Sequence, residues 1–166
     1  GIVGGSPKAS AVVKLFSFLT DKDQIKVEVD FAGQRYPVQI STGQKAQEIT
    51  LHPIGEVAIY QGDEIEVPLI EVAHARSGDK GNHSNIGVIA RKAEYLPWIR
   101  AALTEQAVAE YMQHVLDAEK SKVIRYELPA MNALNFMLEN ALGGGGIASL
   151  RIDPQGKAFA QQLLDM

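Results

Sequence analysis

The stretch "EVPLIEVAHARSGDKGNHSNIGVIAR", residues 66–91, decides the fold because two apolar runs enclose a segment of small and charged residues. The runs "EVPLIEV" and "IGVIAR" are rich in β-branched residues, which predicts a strand on each side. Between them, the segment Arg76 to Ser84 is longer than a hairpin connection needs. A loop of that length more often binds something than merely connects two strands.

Downstream of this stretch, helical and strand patterns alternate along the chain. Six further segments follow: helix "EYLPWIRAAL", helix "EQAVAEYMQHVL", strand "KVIRYELP", helix "AMNALNFMLENAL", strand "GIASLRID" and helix "PQGKAFAQQLLDM". Thr104 is the predicted cap of the second helix and Asp153 that of the last. Because strand–helix–strand units cross one face of a sheet, residues 69–166 are predicted to form an α+β fold, a two-layer α/β sandwich of the ferredoxin-like type.

Upstream, residues 1–68 carry strand patterns and predict a β-rich segment. The predicted strands are "AVVKLFSFLT", "QIKVEVDF", "QRYPVQI" and a later one within "EVAIYQGDEIEVPLIEVAHA". Ala32-Gly33 separates the second and third strands and predicts a hairpin, and Pro37 suits an edge strand.

Composition narrows the class of protein. The 166 residues are 46% hydrophobic and 22% charged, with a formal net charge of −4 and no cysteine. We therefore expect one domain or two small ones, no disulfide, and neither nucleic acid nor a membrane as partner. No membrane-spanning run or signal peptide is evident, and we expect a cytoplasmic protein.

The segment "RSGDKGN" has the chemistry of an anion site. Gly78 and Gly81 allow backbone N–H groups to converge, while Arg76 and Lys80 supply positive charge. Asp79 could balance Lys80 or act as a base. The alternative is an internally hydrogen-bonded turn with a solvated ion pair, and the motif alone does not decide between them. The P-loop and EF-hand patterns do not fit.

The glycines at 143–146 formally match a dinucleotide fingerprint with Ala148, but the predicted helix precedes them and a strand follows, which is the wrong order. They indicate either a helix C-cap or a close approach by a ligand or another backbone. His74 and His83 lack the spacing of a metal site, so we expect no metal and identify no cofactor.

Three segments carry a family resemblance: "SAVVKLFSFL", "HARSGDKGNHSNIGVIAR" and "RYELPAMNALNFMLENALGGGGIASLRIDPQGKA". They resemble the C-terminal region of the acyclic terpene utilisation (AtuA) family, found in bacterial clusters that degrade citronellol- and geraniol-type compounds through acyl-CoA intermediates. The resemblance implies a ferredoxin-like domain preceded by a larger N-terminal domain of the same polypeptide. Residues 1–68 would then be the end of, or a link from, that larger domain.

The resemblance implies a role in acyl-CoA or branched-chain acid catabolism. We expect a small-molecule acid or a CoA thioester as ligand, and a homo-oligomer. In this hypothesis Asp79 and Lys80 are the candidate catalytic residues, Asp79 as base. The candidate ligand-binding residues are Arg76, Ser77, Gly78, Gly81, Asn82, Asn85, Gly144 and Gly145. The alternative is a non-catalytic module that docks a larger catalytic domain or a neighbouring subunit.

Overall fold

The computed structural model describes residues 9, 11, 13, 16–41, 43, 62–63 and 65–166. The chain divides into two compact units, one within residues 15–53 and the other containing residues 65–166.

The first unit contains a β-hairpin of two antiparallel strands, β1 (Val27–Phe31) and β2 (Gln34–Val38). The two turn residues, Ala32 and Gly33, both have positive φ angles, of 52° and 80°, as a type I′ turn requires. The predicted hairpin is therefore confirmed. Residues 16–20 form no strand, so the prediction for "AVVKLFSFLT" is wrong there, and the strand predicted over 56–61 lies outside the described residues.

Residues 65–166 of the second unit contain four strands and four α-helices. The strands are β3 (Ala73–Lys80), β4 (His83–Ala90), β5 (Val123–Leu128) and β6 (Ala133–Leu138). The helices are α1 (Leu69–Val72), α2 (Leu96–Ala102), α3 (Glu105–Tyr111) and α4 (Phe159–Leu164). Thr104 caps α3 as predicted, since its hydroxyl accepts a hydrogen bond from the N–H of Ala107 at 3.0 Å.

The four strands form one sheet in the order β3-β4-β6-β5, and every neighbouring pair is antiparallel. One face of the sheet contributes Ile86, Val88 and Phe136 to the core. The helices cover this face with buried side chains: Ile99 from α2, Val108 from α3, and Phe159 and Leu163 from α4. The first and last helices meet where the N–H of Leu69 donates to the carbonyl of Met166 at 2.9 Å.

Besides the segment Arg76 to Ser84, three segments of residues 65–166 differ from the sequence-based prediction. Leu69–Val72 of "EVPLIEV" is one helical turn rather than a strand, and residues 147–153 contain no strand. "AMNALNFMLENAL" forms β6 rather than a helix. Its helix-forming composition misleads, because Leu134, Phe136 and Leu138 alternate into the core with the period of a strand, and tertiary burial outweighs local propensity.

The α+β class and the ferredoxin-like sandwich preceded by a β-rich segment are confirmed despite those local errors. The strand "KVIRYELP" ends at Leu128, immediately before Pro129 as predicted. Within the described part of the chain, no helix has both the length and the apolar character needed to cross a membrane.

Candidate functional site

The segment predicted as a long loop, Arg76 to Ser84, is instead a tight hairpin. Residues 73–80 pair with residues 83–90, and only Gly81 and Asn82 form the turn. Gly81 has a φ of +67°, which is the conformation that the first central residue of a type II′ turn needs. The prediction of a long loop is therefore wrong, and the motif residues lie on an edge strand and its neighbour.

Ser77 fixes this edge strand to helix α4. The Ser77 hydroxyl donates to the Lys157 carbonyl at 3.2 Å and accepts from the Ala160 N–H at 2.9 Å. Ser77 is buried, so only a small polar side chain fits between the strand and the start of the helix. This pair of hydrogen bonds brings residue 157 beside the motif.

Lys157 reaches over the small residue in the middle of the motif. A Cβ atom on Gly78 would lie 3.1 Å from the Lys157 Nζ. The same Nζ lies 3.4 Å from Oδ1 of Asp79, and the side chains are 58% and 38% exposed. The two groups form a solvated ion pair, which contributes little to stability.

Asp79 is held in its ionised form. Two hydrogen bonds lower the pKa of the Asp79 carboxyl from its ordinary value. The larger effect comes from its own backbone N–H and the smaller from Lys157. A carboxylate with a lowered pKa is a poor proton acceptor at neutral pH. This direction favours an electrostatic role for Asp79 over the role of a base.

Lys80 begins a line of hydrogen bonds that crosses three strands. Its Nζ donates to the Asp79 carbonyl at 2.9 Å and to Oδ1 of Asn85 at 3.1 Å. Nδ2 of Asn85 in turn donates to Oδ1 of Asn135 at 3.0 Å. Arg76 is exposed and makes no side-chain hydrogen bond or ion pair with the described residues. By strand alternation Arg76, Gly78 and Lys80 share the sheet face that carries no helix among the described residues.

Asn82 joins the turn to the glycine segment. Its Oδ1 accepts from the Gly144 N–H at 2.6 Å, and its Nδ2 donates to Oδ1 of Asn140 at 3.1 Å. Gly145 is buried with a φ of +91°, and a Cβ there would lie 2.9 Å from the Gly81 carbonyl oxygen. The glycines thus allow close approach to another backbone, which was one of the two alternatives left open.

Asp153 caps the turn before α4 rather than the helix itself. Its two carboxylate oxygens accept from the N–H groups of Lys157 and Ala158, at 2.9 and 2.8 Å, while α4 begins at Phe159. The two ends of the segment 146–155 pack against each other, because a Cβ on Gly146 would lie 3.4 Å from Gln155 Cγ.

The two histidines near the motif have structural contacts. Nδ1 of His83 accepts from the Asn140 N–H at 3.0 Å, and Nε2 of His74 lies 3.3 Å from Nη1 of Arg91. Among the residues that the structure describes, no group of three or more potential metal ligands is present. Two shallow concavities are seen, one lined by Lys26, Glu28, Asp30 and Arg35 and one by Leu19, Thr20, Asp21 and Gln24. Neither borders the motif.

The candidate site therefore consists of residues that sequence reasoning partly missed. The structure brings together five predicted residues: Arg76, Gly78, Asp79, Lys80 and Asn85. Two residues that were not predicted, Lys157 and Asn135, lie beside them. Lys157 is 78 residues from Asp79 in sequence, so no local pattern could pair them. Asn135 is missed because its segment is predicted as a helix and not as a strand next to β4.

Comparison with known families identifies one match. Residues 67–166 match the family described as the AtuA ferredoxin-like domain. Comparison with curated proteins and with solved structures gives no match. The family match covers more than half of the chain and includes every residue of the candidate site, in agreement with the resemblance seen in the sequence. The chain belongs to the AtuA ferredoxin-like domain family.

Proposed function

We propose that this domain serves acyl-CoA or branched-chain acid catabolism by binding an anionic group at the cluster Arg76, Lys80 and Lys157, hereafter the cation cluster. The ligand would be a carboxylate or a phosphate, as found in an organic acid or in a CoA thioester. The observation that carries the proposal is the position of Lys157, whose ammonium lies beside Gly78. Gly78 in turn lies between Arg76 and Lys80 on the same strand.

The charge balance supports an anion as ligand. Three cations and the single carboxylate of Asp79 leave an excess of two positive charges, although the whole chain has a formal net charge of −4. Gly78 has no side chain on the strand between Arg76 and Lys80, so a carboxylate or phosphate could approach the strand backbone closely. Charge-assisted hydrogen bonds from ammonium groups would then hold it.

The other candidate residues would have supporting roles in this site. Asn85 and Asn135 hold Lys80 at one end of a hydrogen-bonded line, and Ser77 positions Lys157. Asp79 would restrain Lys157 between binding events and would weaken anion binding by its own charge. Gly144 and Gly145 would act indirectly, by supporting the Gly81-Asn82 turn.

Calorimetric titration with inorganic phosphate, acetate and CoA tests the proposal. Lys157→Met and Lys80→Met should each weaken anion binding about tenfold, since a charge-assisted hydrogen bond contributes about 1.5–3 kcal/mol. Asp79→Asn should tighten binding, because it removes the one negative charge. Lys92→Met is a matched control: its Nζ lies 5.4 Å from the Tyr95 ring centroid, beyond the far end of β4.

Two results would overturn the anion site. If no probe binds the wild-type chain at millimolar concentration, or if Lys92→Met weakens binding as much as Lys157→Met, the cation cluster is not a selective site. Loss of binding in Asp79→Asn would also contradict the proposal, in which the Asp79 charge opposes the anion.

A second candidate function is assembly, with the domain docking a larger catalytic domain or a neighbouring subunit. It is favoured by the sheet face that the described helices leave uncovered, where Tyr126 and Ile89 are 49% and 39% exposed. Under this function Lys157→Met would reduce assembly in cross-linking or sedimentation experiments and leave anion binding absent in both proteins.

A further inference from the structure

The hairpin β1–β2 separates its side chains into an apolar face and a charged face. Strand alternation and the pairing of Val29 with Tyr36 place five apolar side chains on one side. Ile25 and Ile40 continue the same alternation beyond the strand ends. We call the following set the apolar hairpin face: Ile25, Val27, Val29, Phe31, Tyr36, Val38 and Ile40. Lys26, Glu28, Asp30 and Arg35 line a concavity together on the opposite side.

Within the first unit, no described residue outside the hairpin buries this apolar face. Its seven residues are between 37% and 71% exposed, with Phe31 the most exposed. A two-stranded hairpin is at best marginally stable in water when neither face is covered. An amphipathic hairpin of this kind needs a partner surface of matching apolar character.

One uncharged polar side chain, Gln34, lies on this face, across from Phe31, and accepts a hydrogen bond from the Tyr36 hydroxyl. The Tyr36 hydroxyl donates to Oε1 of Gln34 at 2.8 Å, so burial of the ring would leave no unpaired phenolic proton. On the charged face, Arg35 lies 3.6 Å from Glu28 and 3.9 Å from Asp30, which balances charge within the hairpin. The apolar face itself carries no charge, and two such faces can therefore meet without repulsion.

The available area is close to what a dimer buries. The exposed fractions leave on the order of 700 Å² of surface on the apolar hairpin face, against about 800 Å² for each partner in a standard-size interface. A two-fold contact uses the same patch on both subunits and requires only that this patch be self-complementary. An uncharged face of paired strands meets that requirement.

We propose that the apolar hairpin face is a self-association surface that packs against the same face of a second copy of this chain. The two hairpins would stack as a small four-stranded sandwich, with their sheets about 10 Å apart. Val29 and its partner Tyr36 lie at the middle of the face, and the charged faces point outwards. This inference is independent of the anion site.

Sedimentation velocity over a range of concentrations tests the proposal with one pair of variants. Val29→Lys places a charge in the middle of the face and should convert dimer to monomer. Glu28→Lys introduces the same side chain at the neighbouring position on the charged face and should remain dimeric. A wild-type chain that is monomeric at all concentrations, or a dimer that survives Val29→Lys, would overturn the proposal.

Cross-linking gives a second measurement that does not depend on a destabilising variant. Because the chain has no cysteine, Val29→Cys or Glu28→Cys carries one unique thiol. A bismaleimide with a spacer of about 10 Å, the distance between stacked sheets, should join Val29→Cys chains efficiently and Glu28→Cys chains poorly. Equal yields from the two variants would contradict the face-to-face arrangement.

Discussion

Replacement of Gly145 by alanine tests whether the glycine segment is shaped by close backbone packing. Gly145 is buried at a φ of +91°, and the added Cβ would meet the Gly81 carbonyl oxygen at 2.9 Å and its carbonyl carbon at 3.1 Å. Backbone strain of about 1–3 kcal/mol and steric overlap of similar size should add. We expect a loss of about 2–6 kcal/mol in the free energy of unfolding.

Gly81→Ala is the matched control, because Gly81 also has a positive φ, of +67°, but a Cβ there would have no neighbour within 4 Å. It should lose only the conformational term, about 1–2 kcal/mol. For a domain of about 100 residues each kcal/mol shifts Tm by roughly 4–8 °C. Thermal melts followed by circular dichroism should therefore separate the two variants. Equal shifts, or an unchanged Tm in Gly145→Ala, would refute the close-packing argument.

Three further predictions follow from the same contacts. Ser77→Ala should lower the free energy of unfolding by about 1–3 kcal/mol in denaturant titrations, because the buried Ala160 N–H loses its acceptor; an unchanged midpoint would contradict this role. Thr104→Ala should cost about 1 kcal/mol through loss of the α3 cap, whereas Thr104→Ser should restore most of it. NMR titration of Asp79 should give a pKa below its ordinary value, so its contribution to stability is present above the unfolded pKa and is lost as pH falls through the folded pKa. In Lys157→Met the Asp79 pKa should rise only part of the way, since the bond from its own N–H remains, and a full return would show that Lys157 dominates.

The sequence was most informative where local chemistry and tertiary structure agree. The alternating runs on both sides of Ala32-Gly33 predict the hairpin, and the structure gives these two residues the positive φ angles of a type I′ turn. Thr104 predicted a helix start because a hydroxyl can satisfy a free N–H group there. In both cases the deciding interaction lies within a few residues, which is the range that a sequence pattern can represent.

Prediction failed where distant contacts decide the structure. Residues 133–138 became a strand because β4 and β5 pair with them on both sides, despite helix-forming composition. The motif around Asp79 was interpreted as a loop because its small residues have poor strand propensity. Those residues are small because Ser77 packs against the start of α4 and because Lys157 passes over Gly78. The motif's anionic ligand stays a prediction.

The hydrogen bond between Leu69 and Met166 has a consequence for how this domain can be rearranged. Because the two ends of the sandwich are 2.9 Å apart at that bond, a short linker could join them, and new ends could be opened in the exposed turn at 117–120. Such a circular permutant would keep all four strands and their pairings. The same closeness would allow the domain to be inserted into a surface loop of another protein without separating the two sides of that loop.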